Sequence, residues 1–196
     1  MDSENKNLQL EEISIDVSLI SFLTVISVFF IGALLPNFNS YDLSIKIPIS
    51  FLIISTFAFL FSALILSNST QKIVKGEFEK LKKYLNYGYA ISEYLGVYLF
   101  ILCIPLTINI ITTDTYLRGI TFFSAILGMG LYQFMGFSLL ENYFSKTHRL
   151  FSVLTLLFSI ALFTSQIYVF HFTLVSILFL SFIFLLTFLA PLEKFQ

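Results

Sequence analysis

Charge is what this chain has least of. Asp, Glu, Lys and Arg make up 12% of its 196 residues, about half the roughly 25% of an ordinary soluble domain, so it cannot dress a soluble surface in the usual way. A single cysteine, Cys103, excludes an intrachain disulfide and any multi-thiolate metal or cluster site. Only two histidines are present, His148 and His171, and the span assignment below puts them on opposite membrane faces, where they cannot share a metal or a haem. A phosphate-binding glycine loop is missing, so the chain is not itself the motor of a pump. A net charge of −1 with eleven basic residues gives no phosphate-tracking surface and excludes nucleic acid as a partner. No cofactor site and no catalytic constellation is legible. Ser138 and His171, the nearest thing to a nucleophile and base, fall at opposite ends of their helices. The expectation is therefore that the chain is not an enzyme.

The longest absence is the most informative. From Leu150 to Ala190 no charged residue occurs. As one helix that stretch would be roughly 60 Å long at ~1.5 Å per residue, about twice a bilayer core, so it reads as two spans folded back on each other. The rest of the chain agrees, with 57% hydrophobic residues, 25 phenylalanines and a mean hydropathy of +0.89. The pattern predicts an all-α polytopic membrane protein of six spans, near Val17–Leu35, Ile49–Leu66, Ala90–Ile111, Gly119–Leu140, Leu150–Gln166 and His171–Ala190. Each has about the 17–25 residues a crossing helix needs. Continuous apolar runs, as opposed to alternating ten-residue segments, exclude a β-barrel. Pro36 ends the first span, Pro48 suits the first turn of the second and Pro191 closes the last. Residues 1–16 form an acidic tail, 17–191 the membrane domain and 192–196 a C-terminal tail.

Basic residues set the expected orientation. One side carries Lys46 and Arg118; the other carries Lys6, Lys72, Lys75, Lys80, Lys82, Lys83, Lys146, Arg149 and Lys194. The positive-inside rule then places both termini in the cytoplasm of a cell-membrane protein. The leader is acidic and no small-x-small cleavage site follows Leu35, so the first span is expected to stay.

Between the second and third spans, a basic cytoplasmic segment over residues 67–89 contains the one soluble-looking element. Val74, Phe78, Leu81 and Leu85 fall on one helical face within Gln71–Leu85. Lys72, Lys75, Lys80, Lys82 and Lys83 supply the opposite face, which predicts a short amphipathic helix drawn to anionic lipid.

Within the spans, small residues recur at four-residue spacing. Gly88, Ser92 and Gly96 form one stripe, and Ser124 and Gly128 a second. Such stripes let helices approach closely where lipid supplies no hydrophobic drive between them, within one chain or at the seam of an oligomer. Polar side chains are few. Glu93, near the start of the third span, and Glu141, at the end of the fourth, should lie at similar cytoplasmic depth, and Gln133 is the deepest amide. Glu93 reads first as an interfacial anchor or lysine partner among headgroups. The three together are also the candidate ion path of a transporter or channel, because an acid within lipid is expensive and is kept for a purpose.

The leading expectation is a non-catalytic membrane subunit or scaffold that works through helix packing, with the bilayer and a membrane-protein partner or second copy as its contacts. A small transporter or channel using Glu93, Gln133 and Glu141 is the alternative.

Overall fold

The computed structural model describes residues 3–134, 147–166 and 169–189. All regular structure among them is helical: α1 (Ser3–Leu34), a 3₁₀ turn (Leu35–Ser40), α2 (Leu43–Lys75), α3 (Phe78–Ala90), a π-helical segment (Ile91–Tyr98), α4 (Leu99–Ile111), α5 (Thr115–Phe134), α6 (Thr147–Ser165) and α7 (Val169–Leu189). α3, the π segment and α4 run on without a break. Four helices among the described residues are long and apolar enough to cross a membrane: Leu10–Ser40, Leu43–Lys75, Glu79–Ile111 and His171–Leu189. Val153–Ser165 is a shorter apolar helix. The expected fourth span, Gly119–Leu140, is described only to Phe134, and the tail 192–196 lies outside the described residues.

Helix ends differ most from the sequence expectation. The acidic tail is not separate, because α1 is helical from Ser3; its Ile13 is buried and its Asp16 is tied to α3. The loop expected between Pro36 and Pro48 shrinks to Tyr41 and Asp42. α2 starts at Leu43, with the amides of Ile45 and Lys46 both donating to the Asp42 carbonyl (3.0 and 3.1 Å), so Pro48 sits inside the helix, not in its first turn. At its other end α2 continues nine residues past Leu66.

The single amphipathic helix expected over Gln71–Leu85 is instead two elements. Gly76 adopts φ +71°, its amide donates to Ile73 O (3.2 Å), and the Glu77 amide donates to Lys72 O (3.0 Å). This is the Schellman stop, which needs a left-handed residue that glycine supplies without a Cβ penalty. The chain therefore turns at once into α3. At ~1.5 Å per residue the 33-residue α2 is roughly 50 Å long, well beyond a ~30 Å hydrocarbon core. α2 and the α3–π–α4 helix thus form one long antiparallel hairpin.

That hairpin is the centre of the fold. α1 lies on one side of α2; α7 packs on the π segment and α2; α5 packs on α4, and α6 joins α5 to α7. Aromatic contacts fasten the periphery, with Phe122 stacked on Phe163 (ring centroids 3.9 Å apart) and Phe158 on Phe182 (4.9 Å).

Candidate functional site

The structure concentrates its buried polar groups along the α2/α3–π–α4 seam. α2 buries Pro48, Leu52, Ser55, Phe59, Ser62, Leu66, Ser69 and Ile73, at alternating steps of four and three. This is the heptad rhythm of two helices wound closely together, with serine at one seam position and a large side chain at the other. Across the seam, the Ser55 hydroxyl donates to the Gly96 carbonyl (2.9 Å) and the Ser62 hydroxyl to the Gly88 carbonyl (2.7 Å). Both glycines are close-approach positions. A Cβ on Gly96 would stand 2.5 Å from Phe59 Cε1, and one on Gly88 would stand 2.8 Å from Leu66 Cδ2.

The two bonds are seven residues apart on α2 and eight apart on the partner. Eight residues of regular α-helix overshoot whole turns by roughly 80°, which would swing Gly88 and Gly96 onto different faces. The π segment Ile91–Tyr98 has a wider turn and removes that overshoot, so both glycines face α2.

Glu93 lies in this π segment and is fully buried, 0% exposed. The Tyr98 hydroxyl donates to Glu93 Oε1 (2.9 Å). Five residues separate the two, the spacing that a π turn stacks. The helix begins at Phe78, more than three turns before Glu93, and α2 and α7 cover the segment, so this carboxylate is packed among helices of the same chain. Tyr94 packs edge-on to Tyr98 (5.6 Å). Toward the hairpin turn, the Tyr89 hydroxyl donates to Asp16 Oδ2 of α1 (2.7 Å). Ser92 Oγ and both side-chain polar atoms of Asn86 are buried with no hydrogen-bond partner. Asn86, seven residues before Glu93, lies on the same face of the helix.

The other candidate residues separate from this cluster. Gln133 lies on α5 by its backbone; its side chain, and Glu141 altogether, are outside the described residues, as is Ser138. The stripe Ser124–Gly128 is exposed on α5, and a Cβ on Gly128 would meet nothing within 4 Å. α5 buries Ala125 and Met129 instead. The lysines gather around the hairpin turn: Glu77 bridges Lys80 (3.0 Å) and Lys72 (3.3 Å), while Lys75, Lys82 and Lys83 are exposed. These bonds, from Lys80 first and Lys72 second, hold the Glu77 carboxyl below its ordinary range.

Sequence reasoning missed three things. The serines Ser55, Ser62 and Ser69 carry a readable seven-residue signal. Asn86 and Asp16 fall in the expected basic segment and acidic tail, yet Asn86 is buried and Asp16 is half-buried, because the helices outlast the apolar runs. At the opposite end of the bundle, Gln166 joins α6 to α4, accepting from Asn109 Nδ2 (2.8 Å) and donating to Leu106 O (2.8 Å); no local pattern marks that pair.

Among the described residues, no group of three or more His, Cys, Asp or Glu side chains could hold a metal ion. No family model, curated protein or solved structure matches the chain.

Proposed function

We propose that this chain is a non-catalytic multi-pass membrane subunit or scaffold, with six spans and both termini cytoplasmic, that acts through helix packing and partner binding. The observation that carries the reading is the division of its small residues between inside and outside. The Gly88–Gly96 stripe is used up within the chain, against α2. On α1, however, Ser14, Ser18, Ser21 and Gly32 are exposed, and α5 presents Ser124 and Gly128 outward. The Ser18 and Ser21 hydroxyls turn back onto Ser14 O (2.8 Å) and Val17 O (2.7 Å), so these two are satisfied within the helix and leave a narrow face of small side chains. Such faces suit close approach by another helix. α1 is also the peripheral span, with 11% of its most apolar window buried.

The test is disulfide trapping in native membranes. In a Cys103→Ser background, cysteines at Ser14, Ser18 and Ser21 should give oxidative adducts with a partner or a second copy. A cysteine at Leu178, exposed on α7, should give none. Equal or absent trapping at all four positions would overturn the reading.

A second reading, proton or cation transport through Glu93, Gln133 and Glu141, has one specific support. A fully buried carboxylate in a π segment, with the unpartnered Asn86 amide two turns along the same face, is a costly arrangement of the kind that membrane proteins keep for coupling.

A further inference from the structure

We infer that the chain holds one anionic phospholipid, with its phosphate in a basic mouth beside the hairpin turn and an acyl tail in the groove between α2 and α7. Two neighbouring depressions make up the site. The mouth, about 330 Å³, is lined by Lys80, Lys83, Tyr84, Tyr87 and Ile65. The groove, about 380 Å³, runs from the same Ile65 and Tyr87 along Phe61, Phe57 and Ile54 of α2, with Leu95 and the α7 residues Phe184 and Phe188 opposite. Ile65 and Tyr87 belong to both, so polar mouth and apolar groove are continuous.

Charge and length select the occupant. Lys83 has no ion-pair partner among the described residues, and Lys80 shares Glu77 with Lys72. Lys72 also lies over the Tyr84 ring, 5.9 Å from its centroid, so two lysines line the mouth and a third stands beside one of its tyrosines. Tyr84 and Tyr87 carry hydroxyls that can donate to phosphate oxygens. From Ile65 to Ile54 the groove follows three helical turns, roughly 16 Å, half of a ~30 Å hydrocarbon core. That is the depth of one leaflet. A lipid whose headgroup sits at the lysines would therefore have its tail beside Phe57 and Ile54. The site stands independently of the partner-binding reading, since it lies on α2, α3 and α7, away from the exposed stripes of α1 and α5.

Native mass spectrometry of the detergent-purified protein tests this, with phosphatidylglycerol, phosphatidylcholine and free glycerol phosphate as probes. Phosphatidylglycerol should bind as a single tight adduct, with phosphatidylcholine and glycerol phosphate at least ~10-fold weaker. Removing lysines near a lipid headgroup weakens attraction steeply, so Lys80→Gln/Lys83→Gln should lose ~10-fold or more in affinity. Lys75→Gln/Lys82→Gln removes the same charge outside the mouth and should keep the adduct. Equal loss in both pairs would reduce the site to diffuse surface attraction and overturn it; so would equal binding of phosphatidylcholine or of glycerol phosphate. A photoreactive side chain at Phe57 supplies a second measurement that does not depend on the lysine variants. Cross-linking to a lipid supports the site, and cross-linking to a polypeptide there overturns it.

Discussion

The Tyr98 hydroxyl donates a hydrogen bond to Glu93 Oε1, five residues earlier in the same helix, at 2.9 Å, with both side chains fully buried. In a regular α-helix residues five apart point about 140° away from each other; here the π turn brings them together. The bond and the π segment should therefore depend on one another. Tyr98→Phe removes a donor from a buried carboxylate and should lower stability by about 1–3 kcal/mol, seen as a drop in Tm in detergent. An unchanged Tm would mean that the bond contributes nothing to holding this segment.

Glycine substitutions should separate the two small-residue stripes. Gly96→Ala drives a Cβ into the Phe59 ring, where the nearest atom is 2.5 Å away, and overpacking of this kind costs about 1–3 kcal/mol. Gly128→Ala meets open space and should be neutral, or stabilising by up to about 1 kcal/mol through helix propensity. Thermal unfolding of the two variants side by side checks the difference; equal destabilisation would put α5 against a neighbour that the fold does not show.

Serine replacements probe the same seam from the other helix. Ser55→Ala and Ser62→Ala each remove a hydrogen bond to a glycine carbonyl, and interhelical hydrogen bonds within membranes average about 0.6 kcal/mol. Each variant should therefore show a small loss, and the double variant roughly the sum. Leu64→Ala, at an exposed position on α2, should cost less than the double serine variant by the same unfolding measurement.

The hairpin turn should be acid-sensitive. Lys80 and Lys72 hold Glu77 below its ordinary range, and a carboxylate whose folded pKa is lowered stabilises the fold above its unfolded pKa. That contribution is lost as the pH falls through the folded value. Hydrogen exchange of the amides of Gly76 and Glu77 should then hold its protection above the usual glutamate value of about 4.3 and lose it below. Glu77→Gln should flatten the dependence. Protection that stays constant through the acid range in the native chain would contradict this.

The sequence makes some of this architecture legible and conceals the rest for identifiable reasons. Apolar runs locate the centres of α1, α2, α4 and α7, because a lipid-facing helix cannot carry charge. They do not locate helix ends: Ser67–Lys75 is polar enough to read as a loop, yet Ser69 and Ile73 are buried against the returning helix. The same effect hides Asn86, which lies outside the apolar run but inside the packed hairpin. Glycine spacing found the face that meets α2, although eight residues of α-helix would not align Gly88 with Gly96; the π segment that aligns them leaves no periodic trace. Gly76 falls inside the stretch Gln71–Leu85 that the apolar spacing reads as one helix. That it ends the helix follows from its left-handed φ, which composition does not reveal.

The measurement that decides most directly whether the buried polar seam serves packing or coupling is Glu93→Gln, reconstituted in vesicles and recovered from native membranes. The amide keeps the side-chain volume and the oxygen that accepts from Tyr98, and removes the titrating proton. The scaffold account predicts a monodisperse protein with near-native Tm, unchanged trapping from α1, and no proton- or cation-driven flux in either form. A flux carried by the native protein and lost in Glu93→Gln, with fold and trapping intact, would contradict it.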